Sequence, residues 1–169
     1  MIQVYTGNGK GKTTASLGLA LRAVGAGKKV LLIQFLKEGQ SSEIKAIKKY
    51  LPNFEVKIFG QKGFLTKEKL KKKDFNLAQQ GFDFAQKAIQ TKAYDLIILD
   101  EVNVAVSLGL LRSEELMKLI KLTPSKIELI LTGRSVPKRI IQVADLVSQI
   151  KEVKHYFKKG LKARKGIEY

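Results

Sequence analysis

An α/β fold, a doubly wound and mostly parallel sheet flanked by helices, is predicted by three observations. Short apolar runs alternate with helix-period segments along the whole chain. Those runs are rich in Val, Ile and Leu and lack the polar alternation of a half-exposed sheet, as strands buried on both faces do. The first run opens straight into a glycine-rich loop and then a helix pattern. With 169 residues the chain can bury roughly 70% of its unfolded surface, so residues 1–169 are expected to form a single domain.

The first strand is predicted at Ile2 to Thr6 and the first helix at Thr13 to Ala26. Between them runs Thr6-Gly7-Asn8-Gly9-Lys10-Gly11-Lys12-Thr13-Thr14, in the strand–loop–helix setting that a phosphate-binding loop requires. Glycines let the backbone curl until successive N–H groups converge, and the helix start adds about half a unit of positive charge. Lys12 would reach terminal phosphate oxygens, and the Thr13 hydroxyl would ligate a magnesium ion bridging them. The spacing departs from G-x-x-x-x-G-K-[ST], because Thr6 takes the place of the first glycine and Lys10 is an additional lysine. Such a loop makes the predicted sheet P-loop NTPase-like, of the RecA-like kind.

Lys29 to Leu36 and Phe54 to Phe59 read as the next strands, with helices at Ser42 to Tyr50 and Lys67 to Gln90. Asp95 to Asp100 is another apolar strand, and it ends in Asp100-Glu101 like a Walker B segment. One of these carboxylates can hold magnesium directly or through water; in a hydrolase the second would polarise an attacking water. A helix at Arg112 to Lys121 has Ser113, Glu114 and Glu115 at its start. The strand Ile127 to Thr132 then delivers Gly133-Arg134 to the same edge, where Arg134 would contact a phosphate or ribose. Pro137 suits the first turn of a helix running to Val143, and Leu146 to Ile150 is the last strand. In doubly wound sheets ligands collect at the carboxyl ends of strands, so the site is expected just after Thr6, Leu36, Phe59, Asp100 and Thr132. The lone His155 is expected to be structural.

Cysteine is absent, which excludes disulfides, thiolate zinc sites and cysteine nucleophiles and fits a reducing cytoplasm. No leader pattern precedes the first strand, and no apolar run reaches the roughly 18 residues of a membrane helix. A soluble, cytoplasmic protein with no membrane partner is therefore expected. The formal charge of +17 invites a nucleic-acid reading. However, the lysine runs (Lys48-Lys49, Lys67 to Lys73, Lys158 to Lys165) are mixed with Glu38, Glu43, Glu68 and Glu152, and none has aromatics interleaved for base stacking. They read as solvated helix faces.

Three readings of the loop and the acidic strand remain open at this point. A RecA-like ATPase acting on nucleic acid would hydrolyse ATP faster with DNA or RNA. A small-molecule kinase would bring an arginine-rich lid, which arginines scattered at positions 22, 112, 134, 139 and 164 do not form. A non-catalytic nucleotide-binding module would leave Thr13 and Glu101 idle.

In detail, the chain resembles the P-loop type of ATP:corrinoid adenosyltransferase. The matching pieces are Thr6 to Thr14, Arg22-Ala23-Val24-Gly25, Gln34-Phe35-Leu36-Lys37, Gly63-Phe64, Leu99-Asp100-Glu101, Thr132-Gly133-Arg134, Ala144-Asp145 and the tail from Lys154-His155 through Gly160 to Gly166-Ile167-Glu168-Tyr169. They fall in order, nearly from end to end. The resemblance implies transfer of the 5′-deoxyadenosyl group of ATP to the cobalt(I) of a cob(I)alamin-type corrinoid, with release of triphosphate. It implies that Gly7, Asn8, Gly9, Lys10, Gly11, Lys12, Thr13 and Thr14 hold the triphosphate with Arg134 nearby, and that Thr13 and Glu101 hold magnesium or manganese. Lys12, Thr13 and Glu101 are then the catalytic residues, Phe64 faces the corrin, and Arg22 is either near the nucleotide or merely on the helix surface. A reduced flavin or flavodoxin-like electron donor and a homodimer are also implied.

The departures fall mainly on the corrin side. Thr66 stands where the family commonly has tryptophan, Ala26 replaces a frequent histidine, and Gln149 takes the place of a usual glutamate. Many members also carry an N-terminal helical extension that helps cover the corrin, whereas this chain opens on its first strand.

Overall fold

The computed structural model of the chain describes residues 1–61, 63 and 65–169. Among the described residues, six strands lie in one sheet: β1 (Ile2–Thr6), β2 (Val30–Phe35), β3 (Phe54–Phe59), β4 (Leu96–Asp100), β5 (Glu128–Thr132) and β6 (Leu146–Gln149). Their order is β3-β2-β4-β5-β1-β6 and every pairing is parallel, so the expected sheet is present and wholly parallel. The helices are α1 (Lys12–Gly25), α2 (Ser42–Tyr50), α3 (Lys72–Thr91), α4 (Val102–Ser107), α5 (Ser113–Leu122) and α6 (Lys138–Val143).

The two-residue period of a strand sorts the core into two layers. Val30, Leu32, Leu96, Ile98 and Ile130 face α1 and α2, packing against Ala20, Ala23, Ile44 and Ile47. Leu31, Ile33, Phe35, Ile97, Leu99, Leu129 and Leu131 face the other way, against α3, α5 and Ile140 of α6. The central strands are buried on both faces, which explains their unbroken apolar composition. This parity matters for the site, because Gln34, Asp100 and Thr132 continue the rows that face α1.

Three expectations are corrected. β3 and β6 are not buried on both faces: β3 is only half-buried after Phe54, and in β6 Leu146 is 44% exposed and Val147 39%, because each is an edge strand with a single neighbour, β2 or β1. The helix expected from Lys67 to Gln90 breaks in two, a 3₁₀ turn at Lys67–Lys69 and then α3. The break is made by Asp74, which is 3% exposed and accepts the Lys71 N–H at 2.8 Å and the Gln61 amide at 2.5 Å, capping α3 five residues later than helical pattern alone suggests. Finally, α4 follows directly on Asp100-Glu101, where β-branched Val-Asn-Val-Ala-Val gives little helical signal.

Candidate active site at the carboxyl edge of the sheet

The glycine-rich loop between β1 and α1 is shaped by close approach as much as by torsion. Gly7 has φ +99°, and a Cβ there would stand 2.3 Å from the Ile150 carbonyl oxygen. Ile150 donates its N–H to Thr6 O at 2.8 Å and accepts the Gly9 N–H at 2.9 Å, so the chain leaving β6 forms the floor of the loop. Gly11 takes φ +119° at the start of α1, and no side chain caps the first-turn amides of that helix. Unsatisfied amides and the helix dipole favour an anion at that point.

Lys12 curls back so that its ammonium donates to Gly7 O at 2.8 Å and Gly9 O at 2.7 Å. It is 7% exposed; burial pulls its pKa below the usual lysine value, and Arg134 and Lys37 act in the same direction. Lys10 behaves differently. It reaches outward to the chain's last residues, donating to Tyr156 Oη at 2.8 Å, Ile167 O at 3.1 Å and Glu168 Oε1 at 3.1 Å. These bonds, first to Tyr156 and then to Glu168, raise its pKa. Glu168 is in turn held by Arg164, Tyr156 and Lys10, which keep its carboxyl far below the ordinary glutamate value.

Asp100 is the hub of the inner site. It is fully buried and accepts four hydrogen bonds: from Thr13 Oγ1 at 2.8 Å, Thr132 Oγ1 at 2.7 Å, Gln34 Nε2 at 3.0 Å and Lys37 Nζ at 2.8 Å. Burial by itself would push the carboxyl up, but the charge and hydrogen bond of Lys37, with Thr132 and Gln34, hold it below the usual aspartate value. Glu101 turns away from the sheet with φ +64°, its N–H donating to Thr132 Oγ1 at 2.9 Å and its carboxylate 3.4 Å from Lys37 Nζ. Leu36 (φ +63°), Glu101 and Ser135 (φ +55°) are non-glycine residues in the left-handed region, and all follow strands at this edge.

These parts line one cavity of about 700 Å³, large enough for a nucleotide. Of the predicted site residues, Asn8, Gly9, Lys10, Gly11, Lys12, Thr13, Thr14, Glu101 and Arg134 all line it. Gly7 lies beneath, against Ile150. Arg134 is exposed at the rim and forms no ion pair among the described residues. Arg22 stands exposed on α1 outside the lining, and the predicted corrin-facing residue, Phe64, lies outside the described residues. His155 does border the cavity, although its Nδ1 is engaged by the Phe157 N–H at 3.1 Å.

Lys37 and the tail Gly166-Ile167-Glu168-Tyr169 stand among the matching pieces of the sequence with no role in the site predicted for them, and sequence reading missed the buried position of Asp100. The segment Gln34 to Lys37 lies at one of the strand ends where ligands were expected, so position alone pointed to Lys37.

The donor set suits a hard divalent cation. No group of three or more His, Cys, Asp or Glu side chains gathers among the described residues, but Thr13, Asp100 and Glu101 bring hydroxyl and carboxylate oxygens together beside the loop. One or two carboxylates, completed by substrate phosphates and water, is how magnesium is commonly held at nucleotide sites.

The family model described as ATP:corrinoid adenosyltransferase BtuR/CobO/CobP matches residues 1–169. A corrinoid adenosyltransferase of Escherichia coli K12 is 35% identical over 170 residues, covering 100% of this chain and 85% of that protein. One from Pseudomonas aeruginosa is 32% identical (100% and 83%), and the corrinoid adenosyltransferase CobA of Salmonella typhimurium is 34% identical (100% and 85%). The chain therefore belongs to the ATP:corrinoid adenosyltransferase family, and its activity is the ATP-dependent adenosylation of a corrinoid.

Proposed function

We propose that residues 1–169 act as one catalytic domain that holds the triphosphate of ATP in the glycine-rich loop and presents the 5′-carbon to corrinoid cobalt(I). The observation that carries this reading is the convergence of Lys10, Lys12, Lys37 and Arg134 with Thr13 and Glu101 around a single cavity. Cobalt(I) attacks the 5′-carbon, a cobalt–carbon bond forms, the bond from that carbon to the triphosphate oxygen breaks, and triphosphate leaves with the electron pair. The nucleophile has no proton to lose, so no general base is required and the protein's task is positioning and electrostatic support of the leaving group. The loop amides and Lys12 bind the phosphates, Lys10 and Arg134 border them, and Thr13 with Glu101, supported by Asp100, would hold magnesium or manganese. When bound, the cation neutralises charge on the departing phosphates.

Phe64 as a corrin contact rests on the resemblance, as do the homodimer and a reduced flavin or flavodoxin-like donor that generates cobalt(I). Among the described residues no helix is long and apolar enough to cross a membrane, which supports a cytoplasmic enzyme. The test is anaerobic incubation with ATP, magnesium and chemically reduced cob(I)alamin, following the visible spectrum and the phosphate product. Adenosylcobalamin with triphosphate is expected; ADP without any change in the corrinoid would refute the proposal.

A further inference from the structure

Lys37 stands where a metal ion would be expected. Its Nζ lies 2.8 Å from Asp100 Oδ2, 3.1 Å from Thr13 Oγ1 and 3.4 Å from Glu101 Oε1, the oxygens that suit a divalent cation. A lysine ammonium is a compact point charge on a flexible four-carbon stem, and so can stand in for an inorganic cation and also withdraw. The main chain beneath it is fixed. Leu36 is held at φ +63° and donates its N–H to Phe59 O at 3.3 Å, while a Cβ on Gly60 would meet Lys37 N at 2.2 Å. The side chain is 37% exposed and borders the cavity together with Lys10, Lys12 and Arg134, so the ammonium has space on the cavity side into which to turn.

We infer that Lys37 holds the cation position while the nucleotide is absent, and that its ammonium passes to the triphosphate when a divalent cation arrives with ATP. Charge explains both halves of the exchange. Asp100 is wholly buried, so leaving it and Glu101 without a positive partner would be costly, and Lys37 supplies that partner. A cation arriving alone would have to expel the ammonium from a buried carboxylate into a cavity already rich in positive charge. A cation arriving with ATP brings phosphate oxygens that take up the ammonium. The metal therefore binds as the nucleotide complex and not beforehand, and Lys37 ends beside the leaving group. This inference rests on the proposed triphosphate and cation site.

The experiment titrates manganese(II) alone into nucleotide-free protein, reading free ion by electron paramagnetic resonance and the metal's effect on the melting temperature. Lys37→Met should bind one manganese per chain at least about tenfold more tightly than the unaltered protein, the equivalent of one charge-assisted hydrogen bond no longer to be broken. Its melting temperature should rise with manganese while that of the unaltered protein does not. Lys37→Gln, which keeps an amide donor towards Asp100, is the second variant should Lys37→Met fold poorly, and is expected to gain the same site. Adding Glu101→Gln to either variant should abolish the gain. Equal manganese affinity with and without Lys37 would overturn the inference. Failure of the underlying site is distinguishable, because equilibrium dialysis of the manganese–ATP complex against the unaltered protein would then show no nucleotide retained with the protein.

Discussion

Replacing Gly7 by alanine, with Gly11→Ala as its comparison, separates two reasons for a glycine that the loop sequence presents alike. Both residues take a positive φ, +99° and +119°, so an L side chain at either costs about 1–2 kcal/mol of backbone strain. At Gly11 no atom lies within 4 Å of the added methyl, and strain is the whole effect. At Gly7 the methyl would lie 2.3 Å from the Ile150 carbonyl oxygen, a main-chain atom that cannot rotate away. Relief requires moving the loop off its floor, which weakens the Gly9 N–H to Ile150 O bond (2.9 Å) and the Ile150 N–H to Thr6 O bond (2.8 Å). At about 1 kcal/mol for each bond, the total for Gly7→Ala is about 3–4 kcal/mol. A chain of this size loses about 2–4 °C of melting temperature per kcal/mol, so Gly7→Ala should melt about 10 °C lower and Gly11→Ala about 4 °C lower. Thermal unfolding followed by circular dichroism without nucleotide reads both. A Gly11→Ala protein that melts at or below Gly7→Ala would refute the reasoning, because the contact with Ile150 would then carry no weight.

Acid stability should depend on Asp100. Its folded-state pKa is depressed, so its contribution is complete above the unfolded value of about 3.9 and is lost as pH falls below it. Asp100→Asn should therefore flatten the acid-side decline of the urea midpoint relative to the unaltered protein; an unchanged slope would show that Asp100 titrates alike in both states. The tail offers a different measurement. Glu168→Ala removes the carboxylate that joins Lys10, Tyr156 and Arg164, and trypsin should then cut the chain within residues 158–165 several-fold faster while the core stays protected. Identical digestion rates would mean that the clasp does not hold the tail.

Much of the fold was legible because burial leaves a local trace. Strands β2, β4 and β5 announce themselves as largely apolar runs, since both of their faces meet helices, whereas β1 alternates buried and half-buried residues. β6, Leu-Val-Ser-Gln, lies exposed at the edge, because strand order is decided by crossovers and leaves no mark on a four-residue run. The break before α3 was hidden for a related reason: Asp74 caps the nearby Lys71 N–H, but its buried carboxylate is also held by Gln61, which the fold brings to it from 13 residues away.

The site divides along the same line. The sequence by itself determined the glycine-rich loop, the placing of Lys12 and Thr13 at a helix start, and a strand ending in two carboxylates, because each is a contiguous segment whose chemistry is local. Tertiary structure alone decided which carboxylate is buried, and the reason is parity: Asp100 continues the row of Leu96 and Ile98 towards α1, whereas Glu101 leaves the strand in a left-handed turn. It also decided that Lys37, 63 residues away in sequence, reaches Asp100, and that Lys10 is joined to Glu168 across 158 residues. Parallel strand pairing and the closing tail set those separations to a few ångströms, and no spacing along the chain encodes them.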